Sequence, residues 1–243
     1  MNGFWAVFKR ELKGYFVTPV AYVFLVIFLF FAGYLTFKAN FFEMRQADLR
    51  VFFGNLPLLF VFMVPCTAMR LWSEERKTGS IELLLTLPIT VAQAVWGKFF
   101  AAWAFLGIAL LLTFPMPLTV YYLGNPDTGL IVMGYLGSFL MAGSFLAIGS
   151  FFSAISKNQV ISFILSVVAC AILVYAGMPT TINYLSGLLP ASILAMVEQV
   201  SFLTHFESIQ KGVLEFKDMA YFVILIIGWI WACTIMLNER KAS

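Results

Sequence analysis

The chain has 243 residues, of which 62% are hydrophobic, 17% aromatic and only 11% charged, and its formal net charge is +3. Soluble domains carry about 25% charged residues, so this composition excludes a soluble globular protein and makes the lipid bilayer the solvent of most of the chain. Outside the apolar runs there is no basic patch with interleaved aromatic residues, and nucleic-acid binding is therefore not expected.

Residues 1–17 are predicted to form an amphipathic helix that lies in the cytoplasmic interface of the membrane. Its apolar positions are Phe4, Trp5, Phe8, Leu12, Tyr15 and Phe16, and its basic positions are Lys9, Arg10 and Lys13. The alternative is a cytoplasmic continuation of the first span. A break is expected at Thr18-Pro19, because the residue before a proline avoids helical backbone angles.

Six uncharged runs predict six transmembrane helices, since about 20 residues of helix cross the roughly 30 Å of hydrocarbon. The spans are placed at about 20–37, 51–69, 99–123, 130–155, 159–177 and 219–237. The fifth run is too long for one helix and is broken by Pro179, Gly187 and Pro190. Residues 178–218 are therefore predicted to form a re-entrant or interfacial extracytoplasmic segment that buries its irregular backbone in protein.

The orientation follows from Lys and Arg, because loops rich in these residues stay in the cytoplasm. The side with both termini carries Lys9, Arg10, Lys13, Arg70, Arg76, Lys77, Lys98, Lys157, Arg240 and Lys241. The opposite side carries Lys38, Arg45, Arg50, Lys211 and Lys217. This asymmetry predicts that both termini and the loop at 70–90 are cytoplasmic.

The predicted spans contain no charged residue or histidine, which argues against a proton-driven pump. Asn55 is the sole amide well inside a span, and Pro57 and Pro65 permit kinks in the same span, so these three residues are candidates for a pathway or a hinge. Such spans favour an apolar or amphipathic cargo, or no cargo. The small residues of the fourth span, including Gly134 and Gly149, are expected to pack within the chain rather than at a dimer seam.

No enzyme activity and no cofactor are expected in this chain. It lacks the G-x-x-x-x-G-K-[ST] loop that cradles nucleotide phosphates. Its three cysteines, Cys66, Cys170 and Cys233, show no metal-ligand spacing, so no metal site is predicted. The single histidine, His205, is interpreted as a polar residue of an external loop.

The densest charge cluster lies in the predicted loop at 70–90, where Arg70, Glu74, Glu75, Arg76, Lys77 and Glu82 occur together. After Gly79, strong helix formers run as far as Pro88 and predict a short helix along the cytoplasmic face, with the flanking charges available to a protein partner. An ordinary solvated loop is the alternative, although it gives no reason for the leucines, which the membrane surface could also bury.

With these motifs the chain resembles the membrane subunit of ABC-2 type transporters, and within them the gliding-motility-associated (GldF-like) permeases. Copper-processing (NosY-like) permeases are similar too. The matching segments are PVAY at 19–22, PCTAMR at 65–70, ERKTGSIELL at 75–84, TLP at 86–88, HF at 205–206 and KGV at 211–213.

The resemblance implies an all-α integral membrane protein with six transmembrane helices, an N-terminal interfacial helix and a cytoplasmic coupling helix, as in type V exporter-like architectures. It implies a homodimer or pseudodimer in the bacterial inner membrane that binds two separate ATPase subunits, which hold the ATP and Mg²⁺. By the same resemblance, the docking residues are Glu74, Glu75, Arg76, Lys77, Gly79 and Glu82. The implied function is ATP-driven export or movement of a cargo. The alternative is a mechanical or regulatory anchor that acts on a partner, such as an auxiliary GldG-like membrane protein with a large extracytoplasmic domain.

Overall fold

The computed structural model describes residues 3–39, 41–42, 48–79, 89–187, 190–210, 212 and 215–242. All regular elements in these ranges are α-helices, so the all-α prediction is confirmed. The helices are α1 (Gly3–Val17), α2 (Pro19–Lys38), α3 (Arg50–Ala68), α4 (Arg70–Thr78), α5 (Val91–Leu111), α6 (Pro115–Leu123), α7 (Thr128–Ile155), α8 (Gln159–Tyr175), α9 (Pro179–Ser186), α10 (Ala191–Val200), α11 (Phe202–Gln210) and α12 (Phe216–Ala242).

Within the described residues, five helical stretches are long and apolar enough to cross a membrane. They are Pro19–Lys38, Arg50–Thr78, Val91–Leu123, Thr128–Ile155 and Phe216–Glu239. Helices α8 and α9 together give a sixth candidate, bent by 74° at the break between them. By itself α8 has 17 residues and is about 26 Å long, which falls short of the roughly 30 Å of hydrocarbon. A multi-pass membrane protein is thus confirmed, and the count of six depends on this bent pair.

Two of the differences from the sequence prediction bear on the arrangement around α4. Helix α5 begins at Val91, eight positions before the predicted span, because a capping box starts it there: the Thr90 hydroxyl accepts from the Gln93 N–H, and the Gln93 side chain accepts from the Thr90 N–H. Lys98 therefore lies inside helix α5 instead of marking the position before its start. Residues 70–78, predicted as loop, form helix α4 directly after α3.

Helix α7 is the centre of the bundle and contacts α3, α4, α5, α8, α11 and α12. Two of its glycines show why it packs so closely. A Cβ at Gly134 would lie 2.3 Å from the Phe53 ring, and one at Gly149 would lie 2.4 Å from the Ala68 Cβ, both on α3. The small residues of this span are therefore used for packing within the chain, as predicted.

Helix α1 lies along α5. Val7 is its buried residue, and a Cβ at Gly97 of α5 would lie 3.0 Å from the Val7 side chain. The predicted break at Thr18-Pro19 is confirmed, because α1 ends at Val17 and α2 begins at Pro19. The N-terminal helix is therefore held against the helix that carries Lys98.

Candidate functional site: the junction around α4

The junction between α3 and α4 is stabilised by a hydroxyl from another span. The first N–H groups of a helix have no partner within that helix. In α4, the N–H groups of Trp72 and Ser73 donate to the Ser153 hydroxyl of α7 at 3.0 and 3.1 Å. The same hydroxyl donates to the Met69 carbonyl at 2.9 Å. One serine of α7 thus uses its donor and both acceptor positions to cap the start of α4.

Two side chains of α4 also bind α7. The Trp72 indole is fully buried and donates to the Ser150 hydroxyl at 3.2 Å. Arg76 donates to the carbonyl of Ala154 at 2.6 Å and to the carbonyl of Ile155. These are the last carbonyls of α7, where a cation also suits the helix dipole. Helix α4 is therefore attached to the end of α7 through Trp72, Ser73 and Arg76.

A buried lysine joins α4 to α1 and α5. Lys98 is only 3% exposed, and its ammonium lies 2.8 Å from a carboxylate oxygen of Glu75 and 3.2 Å from one of Glu11. It also lies 5.3 Å from the centre of the Trp72 ring. Arg10 completes the cluster, with its guanidinium 2.8 Å from Glu11 and 4.0 Å from Glu75. We call these four charged residues, Arg10, Glu11, Glu75 and Lys98, the lysine node.

The charges of the lysine node change the acidity of Glu11. Burial of this carboxyl acts to raise its pKa, but the nearby Lys98 and Arg10 charges outweigh burial, and the net pKa lies below its ordinary value of 4.5. The carboxylate is therefore ionised at neutral pH, and its ion pair with Lys98 joins α1 to α5.

The structure places the predicted docking residues in two groups. Glu75 and Arg76 are engaged within the chain, in the lysine node and at the end of α7. Glu74 pairs with Arg70 at 3.1 Å and remains half exposed, Lys77 is exposed, and Gly79 ends α4 with a left-handed φ of 73°. Glu82 and the predicted coupling helix at 80–87 lie outside the described residues.

The three pathway or hinge candidates lie on α3. The Asn55 amide donates to the carbonyl of Val51 at 2.9 Å and to the carbonyl of Leu35 on α2 at 3.4 Å. Pro57 and Pro65 are buried inside α3, and the helix continues through both of them. The break before α4 comes four residues after Pro65, at Met69. Asn55 thus links α2 to α3, and Pro65 lies next to the junction described above.

Sequence reasoning missed a second polar cluster at the opposite end of the bundle. The interpretation of His205 as a polar loop residue is wrong, because it is 4% exposed and lies in helix α11. Its Nδ1 lies 2.6 Å from Asp218 Oδ1, its Nε2 lies 2.9 Å from the Gln199 carbonyl, and its ring stacks on Tyr221. We call His205, Asp218 and Tyr221 the histidine clamp. The signal was present in the i, i+3, i+4, i+7 spacing of Phe202, His205, Phe206 and Ile209, which is typical of one buried helix face.

The described residues contain no group of three His, Cys, Asp or Glu side chains placed to hold a metal ion. The lysine node joins α1, α4 and α5, and the histidine clamp joins α11 to α12. The junction joins α4, the helix that precedes residues 80–88 in the chain, to α1, α5 and α7. A displacement of α4 can therefore be transmitted to these three helices.

Comparison with protein families matches residues 5–237 to a family described as ABC-2 family transporter protein. A comparison with curated proteins gives no match. The matched segment contains the lysine node, the α4 junction and the histidine clamp.

Proposed function

Since the chain belongs to the ABC-2 family of transporter proteins and is thus a multi-pass permease component of an ABC transporter, we propose that two separate ATPase subunits drive it. ATP and Mg²⁺ bind in those subunits. The permease converts their movement into export, or another displacement, of an apolar or amphipathic cargo. Its two copies form a homodimer or pseudodimer in the bacterial inner membrane, with both termini cytoplasmic.

One observation carries this proposal, namely the way in which α4 is attached. Helix α4 leads directly into residues 80–88 and contacts α1 and α5 through the lysine node and α7 through Ser153, Trp72 and Arg76. A force applied by an ATPase at 80–88 therefore reaches α1, α5 and α7 together. Packed interfaces move as units rather than deforming continuously, so this attachment favours a rigid tilt of several helices.

The docking surface proposed here consists of Glu74, Lys77, Gly79 and Glu82, with Glu75 and Arg76 as positioning residues beneath it. Glu74 and Lys77 present charges at the surface of α4, and charged rims set the register and orientation of a partner. Gly79 lets the chain leave α4 in a left-handed conformation that other residues adopt only with strain. We also propose that the chain is a permease of the GldF-like type.

The test is to express the chain with the ATPase encoded beside it, purify through a tag on the chain, and measure co-elution of the ATPase. We expect Glu82→Lys to leave membrane insertion intact and to release the ATPase. The matched control is Glu239→Lys, which makes the same charge change at an exposed position of α12. Co-elution retained in the Glu82→Lys variant would remove the docking assignment.

The alternative function is a mechanical or regulatory anchor, and one observation favours it. Two buried hydroxyls, Ser138 of α7 and Ser166 of α8, donate to carbonyls of their own helices, to Gly134 and Ser162 respectively, each at 2.7 Å. Such hydroxyls give no polar path for a hydrophilic solute. ATP turnover that responds to a GldG-like partner protein and to no added solute supports the anchor, whereas stimulation by an amphipathic solute supports the exporter.

A further inference from the structure

A cavity of about 490 Å³ lies beside the lysine node, where α1 meets α2 and the α3–α4 junction. Its charged lining residues are Arg10, Glu11, Arg70 and Glu74, and its apolar ones include Val20, Ala21, Phe24, Leu71 and Phe105. The cavity has the size of an ordinary small-molecule site. Its wall combines charged and apolar side chains, which is what an amphiphile requires.

The charged side of the cavity has no net charge. Arg10 lies 2.8 Å from Glu11, and Arg70 lies 3.1 Å from Glu74. A guanidinium has five donors and a carboxylate about four acceptor positions, so each pair keeps unused hydrogen-bonding capacity. The exposed fractions of the Arg70 and Glu74 side chains, 38% and 47%, leave that capacity accessible. The rim can therefore bind an anionic and a cationic group of one ligand at the same time.

Three of the apolar lining residues, Val20, Ala21 and Phe24, belong to the first turns of α2, the first span. Val20 and Phe24 are the second and sixth residues of α2, so this wall reaches roughly 8 Å along the helix from Pro19. Val20 is 54% exposed, which opens this side toward the surroundings of α2. The cavity thus follows the change from headgroup to hydrocarbon at the membrane boundary.

We propose that this cavity binds a phospholipid of the phosphatidylethanolamine type from the cytoplasmic leaflet. The phosphate would accept hydrogen bonds from Arg10 and Arg70, and the ammonium would donate to Glu11 and Glu74, while the first acyl methylenes contact Val20 and the residues around it. Phosphatidylglycerol lacks the ammonium and leaves the carboxylates facing its negative charge. Phosphatidylcholine is zwitterionic, but its quaternary ammonium has no N–H to donate.

Gly14 allows the cavity to be filled without a change of charge. It lines the cavity, and a Cβ built on it meets nothing within 4 Å. Gly14→Leu is therefore expected to fold and to occupy the lipid site. The matched control is Gly228→Leu, since Gly228 lies at an exposed position of α12 where a Cβ also meets nothing within 4 Å. Both substitutions carry the same gain in helix propensity.

The experiment places the delipidated full chain in phosphatidylcholine nanodiscs that contain phosphatidylethanolamine or phosphatidylglycerol. Native mass spectrometry without ATP then measures the lipid that stays bound. We expect about tenfold enrichment of phosphatidylethanolamine over the other two lipids, the ratio that one additional charge-assisted hydrogen bond gives. The enrichment should persist in Gly228→Leu and disappear in Gly14→Leu.

A double variant tests how the headgroup is recognised. Arg70→Gln with Glu74→Gln keeps the rim neutral and polar, so lipid should still bind while the preference for phosphatidylethanolamine over phosphatidylcholine falls. Equal retention of the three lipids by the wild-type chain would overturn the proposal. A preference for phosphatidylglycerol, or unchanged enrichment in Gly14→Leu, would overturn it as well.

Discussion

The lysine node and the histidine clamp are both clusters of ionisable side chains between helices, yet the residues that they join are separated by very different lengths of sequence. His205 and Asp218 are 13 positions apart and fasten α11 to the start of α12. Glu11, Glu75 and Lys98 come from α1, α4 and α5 and join segments that are far apart in the sequence. The clamp thus joins helices that are neighbours in the sequence, whereas the node joins helices that are far apart in the sequence.

The two clusters also differ in how much of their side chains is exposed. The His205 and Asp218 side chains of the clamp are each only 5% exposed, and the ring of Tyr221 stacks on the histidine. The Glu11 and Glu75 side chains of the node remain 22% and 20% exposed, beside a cavity and next to the segment proposed to bind an ATPase. A buried contact suits a part that stays fixed. A partly exposed junction suits a part that receives and passes on a movement.

The clamp needs a shared proton, because His205 Nε2 faces a carbonyl oxygen and must carry a hydrogen. The contact between Nδ1 and Asp218 then needs one more hydrogen, on the ring or on the carboxyl. Either arrangement makes the pair electrically neutral, which lowers the cost of burying it. The second oxygen of Asp218 has no hydrogen-bond partner among the described residues, so the Asp218 carboxyl depends on its contact with His205.

Breaking the clamp should cause the largest loss of stability. His205→Leu leaves the buried Asp218 carboxyl without its partner, and removing one member of such a pair costs about 4 kcal/mol. The measurement is the free energy of unfolding in mixed micelles. Thr204→Val, at an exposed position of the same helix, serves as the control and should change it little. Equal stability of the two variants would show that the clamp holds nothing.

Breaking the node should cost somewhat less. Lys98→Met keeps the length of the side chain but removes the cation that Glu11 and Glu75 share. The two carboxylates are partly exposed and keep Arg10 nearby, so we expect a loss of about 3 kcal/mol, near the lower limit for a buried pair. Lys157→Met, at an exposed position between α7 and α8, is the control. A loss no larger than that of this control would contradict a structural role for the node.

A smaller effect should follow removal of the serine that caps α4. Ser153→Ala leaves the N–H groups of Trp72 and Ser73 without their partner, which costs about 2 kcal/mol. Ser166→Ala is a matched control, because this buried serine donates only to a carbonyl of its own helix. The two variants are compared by thermal unfolding of the purified chain. A Ser166→Ala effect as large as that of Ser153→Ala would be contrary to the capping role.

The smallest effect is a dependence of the node on pH. The pKa of Glu11 is lowered in the folded chain, so its ionised form stabilises the fold above the ordinary value of 4.5, and this contribution is lost as the pH falls through the lower folded value. At neutral pH, Glu11→Gln should lower stability by less than about 1 kcal/mol. The gap to the wild-type chain should shrink on acidification below 4.5, and a gap that widens there would exclude this linkage. Glu239→Gln is the control.

Features that depend on residues close together in the sequence could be predicted from the sequence alone. The break at Thr18-Pro19 and the bend before Pro179 follow from local proline chemistry, and both are seen. The start of α5 could have been found in the same way, because Thr90 and Gln93 have the spacing of a capping box. It was missed because the charge of Lys98 was taken to mark the boundary of the span, which was therefore predicted to begin at residue 99.

Contacts between distant residues could not be predicted in this way. Ser153 and Trp72 are 81 positions apart, and nothing near Ser153 indicates that its hydroxyl caps another helix. The charges at 74–77 looked available to a partner, although two of the four are engaged inside the bundle, because charge density shows nothing about the direction of a side chain. His205 was misjudged for a similar reason, since its partner Asp218 lies beyond the end of its own helix.

The most direct test of the central claim, that α4 and the lysine node pass movement from an ATPase to the spans, is the ATP turnover of the co-purified complex with Lys98→Met. We predict that the ATPase co-elutes with this variant as with the wild-type chain, while the response of its turnover to cargo or partner protein is lost. Lys157→Met should retain that response. Full co-elution together with an unchanged response in Lys98→Met would contradict the claim.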